Sequence, residues 1–483
     1  MPALPGQFVR LEELIEQASM VIGNLAGQDT FSGSLDSDVA GLRLLISPSD
    51  DIVYSTVPGA PVHCVIVYQR AFADEKALAA SLRRYLRRGD VKSLPAYDTA
   101  TTLASAVGKL LAGDILLLQE GSPQAVAFSL PASLPSSEPQ VERVIRGPHQ
   151  AFTSDLHENL ALMRRMAQAP NLRVEIRSIP GNTTHRYAIA YMDGKAPLSV
   201  RAEVLRRISQ FKYDNIVSVS VLKPFLADAP YSPFVNVQLT ERVDTAVLGL
   251  ENGRVVLLVG NASETMLLPA TLIEMLNSPE DRYLPRYIGD FARFLRLGSF
   301  LVALAGEAAY IAVTSVHQEL LPTPLAFAVA RSRSGVPLPV FAEVLVMALI
   351  IEVLREAAIR LPRSLSQTIS IVGALVIGQA VVQAGLISAP VIVLVAVVAL
   401  ASFTIPQYEM AVIVRLLRFP AMVAGVTLGL FGVVMYVFFI LIHLAKLRSF
   451  GVSYLSPVAP FHIRQVQRLM RIPFKWYRKP QTS

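Results

Sequence analysis

Residues 369–405 read ISIVGALVIGQAVVQAGLISAPVIVLVAVVALASFTI and contain no charged side chain. A membrane-spanning helix needs about 20 mainly apolar residues. The stretch therefore accommodates two crossings, Ile369–Leu386 and Val391–Ile405, joined by a tight connection at Gly385–Pro390. Two more segments of the same character flank it. Phe294–Val316 is introduced by Arg293 and Arg296, and Met422–Leu444 is followed by Lys446 and Arg448. Together they predict a polytopic helical membrane domain over residues 294–448, followed by a basic tail over 449–483.

The rest of the chain is different in kind. Of the 483 residues, 52% are hydrophobic and 17% charged, against about 25% charged in an average soluble domain. Residues 1–294 carry 28 Lys+Arg and 31 Asp+Glu, whereas residues 295–483 carry 16 and 6. The basic surplus thus belongs to the apolar part, and no acidic residue follows Glu409. That distribution suits anchoring against anionic membrane lipids. It does not suit nucleic acid, because the first half has no basic stripe with interleaved aromatics. Disorder is excluded by the apolar content. The single cysteine, Cys64, rules out an internal disulfide framework, and its apolar run Val62–Tyr68 reads as core. Met1–Gln28 lacks the apolar segment of a signal peptide, so the N-terminal domains are expected to be cytoplasmic.

The first half reads as α/β, in two small subdomains over residues 1–135 and 141–290. Gly41–Ile46, Val62–Tyr68, Asp114–Leu118 and Ala125–Leu130 read as strands, and Ala73–Arg88 and Thr101–Leu111 as helices. PASLPSSEPQ (131–140) is the linker candidate. The second unit begins with a helix over Phe152–Ala167, capped by Thr153 or Ser154. Strands Leu172–Ser178 and His185–Met192, helix Leu198–Phe211, and strands Ile216–Val221 and Arg254–Val259 follow. There is no dinucleotide fingerprint, no phosphate loop, no HExxH and no Cys/His metal spacing. No catalytic residue, cofactor or metal is therefore expected, and the protein is not read as an enzyme.

Val340–Arg360 (VFAEVLVMALIIEVLREAAIR) has the length of a span but carries Glu343, Glu352, Arg355 and Glu356. Charges in lipid are costly and face protein, water or the interface. Glu356 and Arg360 stand one turn apart, which suits an ion pair. Glu343 lies about 180° around the helix from Glu352. An interfacial helix and a buried spanning helix both fit. The first gives four spans with both termini cytoplasmic, which is preferred although it places Arg355, Arg360, Arg363, Arg415 and Arg418 on the far side. Glu307, in the middle of the first span, reads as a buried hydrogen-bonded or protonated carboxyl. Gly425, Gly429 and Gly432 mark a face where helices approach closely. Gln379 and Gln383, one turn apart, would bond a neighbouring helix or line a wet pathway.

Several long stretches, in order, carry a resemblance. RGPHQAFTSDLHENLALMRR (146–165), YSPFVNVQLTERVDTAVLGLENGRVVLLVGN (231–261), residues 321–362, residues 366–420 and LRSFGVSYLSPVAP (447–460) resemble the GerA family, the A subunits of the nutrient germinant receptors of bacterial spores. Val243 departs from the family's TERPD motif, which has Pro there. The resemblance implies an inner-spore-membrane protein with two cytoplasmic α/β subdomains. It implies partnership with a transporter-like, nutrient-binding B subunit and a C-subunit lipoprotein. It also implies a homo-oligomer whose membrane domain conducts cations when germinant binds. For such a channel, Glu343, Glu352, Glu356, Ser366, Gln367, Gln379 and Gln383 are the candidate pore or gate residues. A signalling scaffold is the competing reading.

Overall fold

The computed structural model describes residues 30–60, 62–130, 137–142, 144–179, 182–211, 219–360 and 378–460. They divide into two compact units. One comprises described residues within 1–143, 148–226 and 239–268; the other takes 144–147, 227–238 and 269 onward.

The first unit is an internal duplication. Its first half runs α1 (Leu35–Leu45), β1 (Ile52–Thr56), β2 (Cys64–Gln69), α2 (Glu75–Arg88), β3 (Tyr97–Ala100), α3 (Leu103–Ala112), β4 (Ile115–Gln119) and β5 (Ala125–Phe128). Its second half repeats that order. It runs α4 (Leu156–Ala167), β6 (Leu172–Ile179), β7 (Asn182–Met192), α5 (Leu198–Ser209), β8 (Gln238–Thr240), α6 (Val243–Glu251), β9 (Val255–Val259) and β10 (Thr265–Leu268). The sheets share one strand order, β1-β2-β4-β5-β3 and β6-β7-β9-β10-β8. Neighbouring strands are antiparallel at β1–β2, β2–β4, β4–β5 and β5–β3, and again at β6–β7, β7–β9 and β9–β10.

Local chemistry repeats as well. Phe31–Leu45 aligns without a gap on Phe152–Met166. Asp38 accepts the backbone N–H of Ser32 at 2.8 Å, and Asn159 accepts that of Thr153 at 2.7 Å. The Gly121 N–H donates to Gly33 O at 2.8 Å, and the Asn261 N–H to Ser154 O at 2.9 Å. Gly121 and Asn261 both turn with positive φ, 78° and 68°. Each half closes a layer of leucines and alanines between its helices and one sheet face.

Three expectations change here. Gly41–Ile46 belongs to helix α1 and its C-cap rather than to a strand. Leu35 and Leu42 both turn into the core, one helical face seven residues apart. The helix of the second half starts at Leu156, and Asp155 caps it by accepting the N–H groups of His157 and Glu158. Val219–Val221 is a 3₁₀ turn rather than the end of a strand, while residues 212–218 and the proline-rich 131–136 lie outside the described residues.

The second unit is helical. It contains α7 (Arg286–Ser315), α8 (Thr323–Arg333), α9 (Val340–Arg360), α10 (Ala389–Phe403) and α11 (Tyr408–Lys446), then a hairpin of β11 (Arg448–Ser449) and β12 (Val452–Ser453). Helices α7 and α11 are long and apolar enough to cross a membrane. Helix α11 breaks at Gly429 (φ 63°, ψ −147°) and folds back. The Tyr436 hydroxyl donates to Leu417 O at 2.8 Å, although a straight helix would hold residues 19 apart at about 28 Å. Met422–Leu444 is therefore two arms of a hairpin and not one span. Only a residue without Cβ takes that turn without strain.

Helix α9 is a member of the bundle and does not lie outside it. Val340, Val344, Met347 and Ala348 share a buried cluster with Ile311, Val391, Val395 and Met422. Two of its acids, Glu343 and Glu352, pair with residues of other helices. The predicted span Ile369–Leu386 is described only from residue 378 on, where 378–383 is helical, and residues 361–377 lie outside the described residues.

Candidate functional site

The interior of the helical unit holds a connected set of charges. Glu307 sits in the C-terminal third of α7, 1% exposed, and Arg418 on the first arm of α11 donates from Nη1 to its Oε1 at 3.1 Å. Arg418 Nη2 donates to Glu352 of α9 at 3.0 Å and to Ala348 O at 3.3 Å. Arg415, one turn before Arg418, donates to the other oxygen of Glu352 at 3.0 Å. Arg355 lies 3.7 Å from Glu352, donates to Ser402 of α10 and stacks 4.6 Å over Phe403. Four helices are thus tied by one network. It holds three arginines against two carboxylates, a surplus of one positive charge.

The physics is demanding. Taking ions out of water costs several kcal/mol each, recovered only where partners are close and well aligned. In an apolar setting such groups must pair or face water. Here the second oxygen of Glu307 and the Nε atoms of Arg418 and Arg355 are buried without a hydrogen bond. The network is therefore incompletely satisfied at its centre.

A second cluster closes the other end of α9. Glu343, fully buried, accepts from Arg333 of α8 at 3.2 Å and from the backbone and hydroxyl of Ser388 at 2.9 and 2.7 Å. It pins the start of α9 to the start of α10. Glu356 is different. It is exposed and, among the described residues, pairs with Arg360, at 2.5 Å, as their spacing predicts. Gln379 and Gln383 are both exposed. Ser366 and Gln367 lie outside the described residues.

The glycines divide in role. A Cβ at Gly425 would lie 2.6 Å from Ala308 O, so it marks a close approach of α7 and α11. Gly429 makes the turn. A Cβ at Gly432 would meet Ala424 O across it.

Arg415 and Arg418 are the residues that sequence reading misplaced, by assigning them to the far side of a membrane. Arg418 is 3% exposed. The signal was present, since two arginines one turn apart on an apolar helix need acids, and Glu307 and Glu352 were the unpaired acids available. Arg293 and Arg296, read as flanking charges, both meet Asp281.

Comparison with known proteins gives the family of the chain. The sequence model of the Bacillus/Clostridium GerA spore germination protein family matches residues 41–482. Spore germination protein A1 of Bacillus subtilis is 40% identical over 70% of this chain and 70% of its own length. Spore germination protein KA of the same organism is 32% identical over 92% and 85%. The uncharacterized membrane protein YfkQ of B. subtilis is 35% identical over 81% and 77%. Among solved structures, the N-terminal domain of the A subunit of the Bacillus megaterium spore germinant receptor GerK3 matches 50% of this chain and 97% of its own, with 22% identity and a TM-score of 0.38.

Proposed function

Because the chain belongs to the GerA family of spore germination proteins, we propose that it is the A subunit of a nutrient germinant receptor in the inner membrane of the spore. In this reading, copies of the chain assemble into a ligand-gated cation channel, and a transporter-like B subunit and a C-subunit lipoprotein complete the receptor. The protein carries out no bond chemistry.

The observation that carries the channel reading is the placement of polar groups on the outside of the helical unit. Gln379 and Gln383 are exposed on a unit whose other exposed side chains include Val393, Val397, Leu400, Phe431 and Phe438. Amides facing lipid are costly, so this face favours water or another copy. The protomer interior is a poor cation route, since its charge network is net positive. A pathway between copies, along the face that carries the two glutamines, is consistent with both facts.

The return of the chain supports an even number of crossings. Ser449 donates to Asn236 O at 2.7 Å and accepts from the Ala270 N–H at 3.0 Å. Tyr454 shares a buried cluster with Met275 and Leu276, which precede α7, and with Phe300 of α7. In this reading the membrane part begins and ends at one side, which suits cytoplasmic N-terminal domains.

Planar-bilayer recording with the purified full-length oligomer tests the reading. Reproducible cation conductance that changes in Gln379→Leu supports it. Persistent silence of a well-folded oligomer favours the non-conducting scaffold. Conductance indifferent to nutrient in spores would assign the chain to a nutrient-independent branch of the family.

A further inference from the structure

The duplication of the first unit exposes an imbalance. Helices α1 and α4 are equivalent, and the ninth residue after each cap is an arginine, Arg43 and Arg164. Arg164 is 1% exposed and fully engaged. Its Nε and Nη2 each donate to Asp51 at 2.8 Å and its Nη1 to Leu172 O at 2.8 Å. Arg43 has no carboxylate partner among the described residues. Its guanidinium lies 4.7 Å over the Tyr54 ring and borders an open cleft between the two halves.

That cleft has a volume of about 570 Å³. One wall is α1 and the start of β1. The other is the edge strand β6, whose Arg173, Glu175 and Arg177 alternate onto one face while Leu172 and Val174 enter the core. Arg201 of α5 completes the lining. Four guanidiniums and the carboxylates of Glu175 and Asp50 therefore line one cleft.

Both acids are already occupied. Asp50 accepts the Ile176 N–H at 2.9 Å. Glu175 accepts from the Tyr191 hydroxyl at 2.8 Å, Arg201 at 2.6 Å and Arg177 at 3.1 Å. Burial alone would raise the Glu175 carboxyl, but the bond from Tyr191 and the charges of Arg201 and Arg177 outweigh it and hold it below its usual range. Arg173 comes no nearer to an acid than 4.0 Å, at Asp193. Arg43 thus has no carboxylate partner among the described residues and Arg173 only a long one, at a concave, partly enclosed site.

We propose that this cleft binds a small anion bearing carboxylate or phosphoryl oxygens, held by Arg43 and Arg173 from opposite walls. Guanidinium is suited to both groups, because its planar donors match their oxygens in pairs. The site lies in the first unit and does not depend on the channel reading.

Isothermal titration calorimetry of the full-length chain in detergent micelles, at constant ionic strength set by sodium chloride, tests this. Inorganic phosphate and succinate are the probes. Saturable heat from phosphate alone identifies a phosphoryl ligand, and from succinate alone a carboxylate ligand. Arg43→Gln and Arg173→Gln should each weaken binding about tenfold or more, the loss expected for one charged hydrogen-bonding contact. Arg43→Lys keeps the charge and separates lost binding from lost folding. Arg83→Gln, outside the cleft, should leave binding unchanged. No saturable heat from either probe would overturn the proposal, as would equal weakening by Arg83→Gln.

Discussion

Arg418 reaches from the first arm of α11 to Glu307 in the C-terminal third of α7, Nη1 to Oε1 at 3.1 Å, with both side chains shielded from solvent. The same guanidinium holds Glu352 of α9 at 3.0 Å. One side chain therefore ties three helices, and the cost of its removal follows from what it leaves behind. Arg418→Met should destabilise the protein by about 3–5 kcal/mol, because the buried Glu307 loses its counter-ion, while Glu352 keeps Arg415. The Glu307→Gln/Arg418→Met double variant should recover much of that loss. Thermal melting of the detergent-solubilised chain measures both, and additive losses would show that the pair is not coupled.

The buried pair of the first unit gives a parallel case. Arg164 of the second half and Asp51 of the first are each 1% exposed and share two hydrogen bonds. The pair joins the two repeats. Asp51→Asn leaves the arginine buried without its counter-charge, so a loss of about 3–5 kcal/mol is expected. Substituting both, Asp51→Leu with Arg164→Met, should cost less than Asp51→Asn alone. Chemical denaturation followed by tryptophan-independent circular dichroism reads the difference.

Acid should loosen the first unit through its glutamates. Arg206 chiefly, with Arg207, holds the Glu203 carboxyl down at about 2, against an ordinary 4.5. A carboxyl with a depressed folded-state pKa contributes stability that is present above the unfolded value and is lost as pH falls toward the folded one. The contribution of Glu203 should therefore fade between about pH 4.5 and about pH 2. Glu175 is also held low, and its loss runs in the same direction. Melting temperature against pH should fall less steeply over that window in Glu203→Gln. An unchanged slope would mean that the ion pairs do not persist in solution.

Much of this was legible in the sequence, and the exceptions have a common cause. The apolar runs announced α7, α10 and α11, and the Glu356–Arg360 spacing announced their pair. The alternation of strands and helices announced the mixed α/β unit. Gly41–Ile46 was misread because GLRLLI is apolar enough for a strand, and only Asp36 and Asp38 in the first helical turn argue otherwise. The duplication was missed because identity survives at few positions, Phe31 with Phe152 and Ala106 with Ala246 among them, while the bonds they serve are kept. The partners of Glu307 and Glu352 were missed because they lie more than 60 positions away in sequence. The turn at Gly429 hides in an unbroken apolar run, since glycine is tolerated in membrane helices and gives no signal of its own conformation.

Gly425 supplies the sharpest test of the helical packing. An added Cβ would stand 2.6 Å from Ala308 O, a backbone atom that cannot swing aside. Gly425→Ala should therefore push α7 from α11 and disturb the Arg418–Glu307 contact one to two turns away. A loss of about 1–3 kcal/mol is expected, as for overpacking in general. Gly298, on α7, has nothing within 4 Å of its would-be Cβ. There Gly298→Ala should be neutral or stabilising by up to about 1 kcal/mol through helix propensity. Thermal melting of the two variants side by side controls for the substitution itself. Equal shifts would mean that α7 and α11 do not meet at Gly425, and the helical arrangement around the charge network would have to be redrawn.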